Sequence, residues 1–295
     1  MTSTLIIDGS SAPAPGPTGA TRVPLPGPGQ TFGGVLRSER IKLSSLLSVR
    51  LTLLITVLSG LGISTLMAVL MSGEIRDGNA GMFSAGGEGL QSYLLMSSTL
   101  SAPFLALIFG VLGVFAISSE YSSGMILSTL TAVPKRTPVF VAKALVLAAL
   151  SALTAALLVL GGLAVAVLCL PDAAAQLGTT PVISGALGTI AYLVLIALFA
   201  FGVAALLRST AGGVAVVAGI TFVMPIVFQV LSITGWEWVG TASMYLPTPL
   251  GGTLSQGLTT MPMEPGYWVA LTAMVIWAAV TVVPAAILFK RRDAR

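Results

Sequence analysis

The sequence predicts an all-α integral membrane protein with six membrane-spanning helices. Of its 295 residues, 55% are apolar and only 8% are charged, and the mean hydropathy is +0.99. In soluble domains about a quarter of the residues are charged, so this chain has too few charged side chains to cover the surface of a water-soluble protein. Long runs without charge supply the spans, because about 20 apolar residues cross a bilayer.

The N-terminal region differs from the rest of the chain. Residues 1–33 are rich in Pro, Gly, Ser and Thr. Such a composition buries too little apolar surface to offset the entropy of ordering, and it lacks the segment order of a signal peptide. We expect a disordered cytoplasmic tail.

Residues 34–50, GVLRSERIKLSSLLSVR, interleave apolar side chains with cations. The pattern is typical of an amphipathic helix on the membrane surface, with its cations toward lipid phosphates. The alternative is an ordinary flank that only sets topology. The cations predicted to face the membrane surface are Arg37, Arg40, Lys42 and Arg50.

Six spans are predicted within residues 51–292. Trimming the charge-free runs at Gly, Pro and aromatic residues places the spans at 51–71, 94–118, 144–169, 185–207, 212–233 and 267–289. Pro103, Pro225 and Pro284 fall inside spans and should kink them. The aromatic-rich segment 234–266 predicts a pair of short re-entrant or surface helices before span six.

The distribution of cations predicts the topology. With a cytoplasmic N-terminus, every Lys and Arg except Arg76 falls on the inside, as the positive-inside rule requires. We therefore expect a multi-pass protein of the bacterial plasma membrane with both termini in the cytoplasm. Because the net charge of +4 reflects this topology, it indicates membrane lipid rather than nucleic acid as a partner.

Several kinds of chemistry are excluded by residues that the chain lacks. It has no His and a single cysteine, Cys169, which argues against imidazole-based metal sites and Ser-His hydrolysis. No lysine stands in a GxxxxGK[ST] phosphate loop. No ionisable residue lies near the middle of a span, which argues against proton coupling. We expect a chain that is no enzyme and binds no cofactor or metal.

One loop is unusually charged for this chain. Residues 119–143, SEYSSGMILSTLTAVPKRTPVFVAK, lie between spans two and three and carry Glu120, Lys135, Arg136 and Lys143. Tyr121 to Leu130 suffices for about three helical turns before Pro134 ends them. Exposed apolar side chains on a cytoplasmic helix indicate docking to a partner.

With its six spans and this loop, the sequence resembles the type-two ABC exporter permeases. The loop matches the family pattern at Glu120, Gly124, Leu127, Leu130, Pro134, Arg136 and Lys143. SERIKLSSLLSVR resembles the elbow segment of the family, although Arg40 stands where Trp is common. YLPTPLGGTL, residues 245–254, resembles the Tyr-Leu-Pro segment before the last span.

The resemblance implies a subunit that pairs with a second permease, identical or related, and with two ABC ATP-binding subunits that hold ATP and Mg. Residues 34–50 then form the elbow helix, and the loop forms a coupling helix that docks into the ATPase. Its implied coupling residues are Glu120, Tyr121, Gly124, Met125, Leu127, Pro134 and Arg136. Glu120 would pair with Lys143 or with the elbow residues Arg40 or Lys42.

The implied function is export by alternating access. We expect an amphipathic or hydrophobic substrate, such as a drug, an antibiotic, a peptide or a lipid-like compound. Candidate hydroxyls for its path are Ser97, Ser98, Thr99 and Ser101. Two alternatives stay open: a secondary transporter or channel acting alone, and a membrane partner of an ATPase that transports nothing.

Overall fold

The computed structural model describes residues 31–77, 86–122, 136–259 and 264–291, without the side chains of residues 120–122, 136 and 291. These residues form helices and turns, with no strand among them. Six of the helical segments are long and apolar enough to cross a membrane. The all-α class and the count of six spans are therefore confirmed.

The chain enters the fold through helix α1, Phe32–Ser45. Its first turn is capped by Thr31, whose Oγ1 accepts a hydrogen bond from the Gly34 amide at 3.3 Å. Leu46 adopts an extended backbone and separates α1 from α2, Leu47–Arg76, which forms span 1. A helix thus lies where the elbow is predicted, but it starts at Phe32, and residues 47–50 belong to span 1.

Span 2 consists of two helices, α3 (Gly87–Thr99) and α4 (Ala102–Ser122). The break between them follows from Pro103, which has no N–H to donate to the carbonyl of Thr99 one turn earlier. The regular helix is therefore interrupted by a turn at Leu100 and Ser101 before α4 begins, although Leu100 itself keeps a helical backbone. Pro103 thus marks an irregular point of span 2, and the kink predicted there stays a prediction.

Spans 3 and 4 are long uninterrupted helices. Span 3 is α5, Arg136–Cys169, and a short 3-10 helix, Pro171–Gln176, follows it. Span 4 is α6, Thr180–Leu207. It ends at Arg208, whose left-handed backbone (φ 53°) turns the chain toward span 5.

Span 5 has an irregular middle. Helix α7, Thr210–Ala218, passes into a π-helical segment, Gly219–Val223, and then into α8, Met224–Leu231. Pro225 accounts for the irregularity, because its missing N–H breaks the α-helical hydrogen-bond pattern at this point. A 3-10 turn, Ser232–Thr234, closes the span.

The segment before span 6 contains two short helices, as predicted: α9 (Glu237–Met244) and α10 (Pro247–Gln256). Span 6 is α11, Tyr267–Arg291. Its internal Pro284 leaves the helix continuous, and the kink predicted there stays a prediction.

Span 4 lies at the centre of the fold, packed between spans 2 and 6. Ile196, Ala197, Ala200 and Phe201 of α6 are completely buried. A Cβ at Gly113 of α4 would collide with the backbone carbonyl of Ala197, so glycine is what allows α4 and α6 to approach this closely.

The spans differ strongly in how much of their surface the chain itself covers. We compared how much of an 18-residue apolar window of each span is buried within the chain. The buried share is 61% in spans 2 and 4, but only 22% in spans 1 and 6 and 11% in span 5. Leu58 of span 1 and Ile226 of span 5 are examples of large apolar side chains that stay exposed. Such faces are suited to lipid or to another protein chain.

The two ends of the bundle carry different charges. At one end Phe140 of α5 packs against Phe201 of α6 and Phe289 of α11. We call this the basic end, because four cations near the ends of spans lie there, namely Arg50, Lys143, Arg208 and Lys290, whereas Arg76 lies at the opposite end. The opposite end carries mostly carboxylates, namely Glu74, Asp77, Glu88, Asp172, Glu237 and Glu264.

Candidate functional site

A buried ion pair joins α1 to span 3 at the basic end. The Lys143 ammonium lies 2.5 Å from Oε2 of Glu39. Glu39 is only 3% exposed and Lys143 only 5%. Burying two charges costs several kcal/mol per ion unless they are paired and hydrogen-bonded, so the short contact is what makes this burial tolerable.

The position of Glu39 follows from the periodicity of α1. Leu36, Glu39, Leu43 and Leu46 recur at helical spacing and share one face. Leu43 is 6% exposed, and Leu36 and Leu46 pack against the same apolar core. The face that carries Glu39 is therefore the face that α1 turns toward α5.

A second cation completes the cluster. Nζ of Lys42 lies 3.0 Å from Oε1 of Glu39, so each carboxylate oxygen contacts one ammonium. Lys42 keeps part of its side chain exposed, whereas Lys143 is buried. We call Glu39, Lys42 and Lys143 the ion-pair cluster.

The ion-pair cluster lines a cleft where α1 meets the ends of spans 2 and 3. The cleft is lined by Glu39, Lys42, Leu43, Ser45, Leu46, Ala116, Ser119, Lys143 and Val146. Ser119 of α4 is the first residue of the charged segment 119–143, and Lys143 of α5 is its last. Both ends of this segment therefore lie beside the cluster.

The elbow cations occupy two environments. Arg37, Arg40 and Arg50 are exposed, while Lys42 is half-buried against Glu39. Arg50 donates from Nε to the carbonyl of Ser44 at 2.7 Å and so bridges the break at Leu46. The side chains of these three arginines are not buried in the core, so they can contact a charged surface outside the bundle.

Most of the predicted coupling residues lie outside the described residues: Gly124, Met125, Leu127 and Pro134. The backbone of Glu120 and Tyr121 closes α4, and that of Arg136 opens α5, but their side chains are outside the description too. The predicted pairing of Glu120 with Lys143, Arg40 or Lys42 therefore stays a prediction.

The four candidate path hydroxyls lie inside the chain, around the break in span 2. Ser97, Ser98, Thr99 and Ser101 are each no more than 6% exposed. Ser98 and Thr99 donate to carbonyls of their own helix, those of Leu94 and Leu95, both at 2.7 Å. Packing against α5 covers this region, because Gly162 lets that helix approach Ser98 closely. A role for these hydroxyls in a substrate path stays a prediction.

Sequence reasoning missed Glu39 as a site residue. One signal was present: Glu39 is the only acidic residue among the cations of residues 34–50, and it shares a helical face with Leu36 and Leu43. A lone carboxylate on the apolar face of a basic helix indicates a buried partner. The sequence contains no comparable signal that the partner is Lys143.

The described residues contain no group of three His, Cys, Asp or Glu side chains that could hold a metal ion. Comparison with protein-family models gave no match, and comparison with curated proteins gave none either.

Proposed function

We propose that this chain is the membrane-spanning subunit of an ATP-driven exporter of the type-two ABC class. The basic end faces the cytoplasm of a bacterial cell, as the positive-inside rule requires. ATP and Mg are bound by separate subunits, and the chain itself provides the transport path.

The ion-pair cluster is the observation that carries this proposal. It joins α1 and span 3 through Glu39 and Lys143, and Ser119 of span 2 lines the same cleft. A force applied to the loop between spans 2 and 3 would therefore act on three elements that are packed together. This is the mechanical arrangement that a chain without its own nucleotide site needs to receive work from a partner.

The uncovered spans support a second permease subunit. Only 11% of the apolar window of span 5 and 22% of that of span 1 are buried within one chain. Pairing two chains through these faces would enclose a path lined mainly by apolar side chains. Such a path suits an amphipathic or hydrophobic substrate, because it offers few charges to a polar one.

The experiment is reconstitution of the chain in liposomes with a candidate ABC ATP-binding subunit from the same organism. The chain alone should hydrolyse no ATP, and the assembled complex should hydrolyse ATP and export a fluorescent amphipathic cargo. Replacing Tyr121, Met125 and Leu127 together by Asp should abolish both ATPase attachment and export.

The matched control places Asp at Ile233, an exposed apolar residue at the opposite end. This control should keep ATPase attachment. Export that persists with no ATPase present, or attachment that survives the triple Asp change, would refute the proposal.

A further inference from the structure

The bend of span 5 is held by a side chain from another element. In an α-helix the carbonyl of Thr221 would accept a hydrogen bond from the residue four positions later, which is Pro225 and has no N–H. Thr248 of α10 donates from Oγ1 to this carbonyl at 2.6 Å. Since a bilayer offers no water to such groups, a donor from a neighbouring element is the expected solution.

Helix α10 is itself fixed to spans 4 and 6. Thr189 of span 4 donates to Ser255 Oγ at 2.9 Å, and the Leu258 amide just after α10 donates to Ser184 Oγ at 2.8 Å. Trp277 of span 6 donates from Nε1 to the carbonyl of Tyr245 at 2.9 Å, just before α10. Leu250 and Leu254 are completely buried. Thr248 therefore projects from a rigid support.

The two halves of span 5 differ in their anchorage. In α7, Gly213 and Val217 are buried, and Val217 packs closely against Gly110 of span 2. In α8, no residue is buried. The direction of α8 therefore depends on the π-helical segment and on what holds it, more than on packing of α8 against the bundle.

We propose that Thr248 is a positioning residue that latches the bend of span 5 to α10. Its hydroxyl sets the angle between α8 and the block formed by spans 4 and 6. Release of this bond lets α8 swing about the π-helical segment while α7 stays in place. The latch is a property of the chain alone; its use as a gate during export rests on the proposed function.

The test measures the angle of α8 by spin-label distances. Labels are placed on Cys at Val230 of α8 and at Leu187 of span 4, both exposed, in a Cys169→Ala background. The full chain is reconstituted in nanodiscs and diluted with unlabelled chain, so that only distances within one chain are recorded. Thr248→Val should broaden the distance distribution or shift it by several ångströms, and Thr248→Ser should leave it unchanged.

Two further variants make the test specific. Thr253→Val removes a hydroxyl from the same helix that donates only within α10, to Pro249, and should leave the distribution unchanged. Pro225→Ala restores the N–H that the Thr221 carbonyl lacks, so Thr248→Val should have no further effect in that background. An unchanged distribution in Thr248→Val, or an equal effect with and without Pro225→Ala, would overturn the latch.

This measurement uses no ATPase, so it can fail while the proposed function holds, or succeed while the proposed function fails. If both hold, export in the reconstituted complex should fall several-fold in Thr248→Val and stay near normal in Thr253→Val. If Thr248→Val shifts the spin-label distance but exports normally, the hydrogen bond of Thr248 has no role in gating.

Discussion

The Glu39 carboxylate and the Lys143 ammonium form a direct ion pair across two elements that lie far apart in the sequence, and both side chains are almost completely buried. Removing one member of a buried pair costs about 3–5 kcal/mol, because the other charge stays in a poorly solvated site. The pair is thus a sensitive point of the fold.

We expect Glu39→Gln to lower the free energy of unfolding by about 3 kcal/mol or more. The change keeps the shape of the side chain but removes the charge that Lys143 and Lys42 contact. The measurement is denaturant unfolding of the full chain in mixed micelles. Arg40→Gln is the matched control on the exposed face of α1 and should shift stability by no more than about 0.5 kcal/mol.

The double variant Glu39→Gln/Lys143→Met tests whether the charge or the shape matters. Replacing both partners removes both buried charges, so the double variant should be more stable than Glu39→Gln alone. If the double variant loses as much free energy of unfolding as the two single variants do together, the two side chains do not form a direct pair.

Tyr93 ties three spans together. Its hydroxyl in span 2 lies 2.9 Å from the carbonyl oxygen of Ala166 in span 3 and 3.3 Å from that of Ala68 in span 1. Hydrogen bonds between membrane helices contribute about 0.6 kcal/mol on average. We expect Tyr93→Phe to destabilise the chain by about 1 kcal/mol, measured in the same unfolding assay. Tyr245→Phe, at a half-exposed ring, should change little; equal effects of both would contradict the bridge.

Gly113 marks the closest approach of spans 2 and 4. Gly113→Ala would place a Cβ against the Ala197 carbonyl, and overpacking of this kind costs about 1–3 kcal/mol. We expect a lower melting temperature and a reduced yield of folded chain. Gly62→Ala, where an added Cβ meets nothing within 4 Å, is the control and should melt at or slightly above the original temperature.

Thr189 and Ser255 provide a measure of how firmly α10 is held. Their hydroxyls are 2.9 Å apart and buried. A double-mutant cycle with Thr189→Val and Ser255→Ala should give a coupling energy of about 0.6 kcal/mol. A coupling energy near zero would show that the Thr189–Ser255 hydrogen bond contributes nothing to holding α10.

The architecture could be predicted from the sequence where the signal is local. Charge-free runs determine the six spans, and the aromatic-rich segment before span 6 predicts α9 and α10. Prolines were only partly informative: Pro103 and Pro225 mark irregular points, whereas α11 continues through Pro284.

The candidate site could be predicted only in part. Charge patterning indicated residues 34–50, where the structure has helix α1, because this signal lies within a short stretch; the charged loop that it also indicated lies largely outside the described residues. The pairing of Glu39 with Lys143 depends on which span lies beside α1, and a single sequence contains no information on that neighbour. The same holds for Thr248, whose partner is a backbone carbonyl that Pro225 leaves without its usual donor.

The ion pair also constrains the order of assembly during synthesis. Glu39 and Lys143 are 104 residues apart in sequence, so α1 has left the ribosome long before its buried partner is made. Until span 3 has been inserted, Glu39 lacks its contact with Lys143 and has Lys42 of its own helix as a cation within reach. The buried ion pair of α1 can therefore form only after span 3 has been inserted, and any factor that delays this insertion prolongs the time for which Glu39 lacks its buried partner.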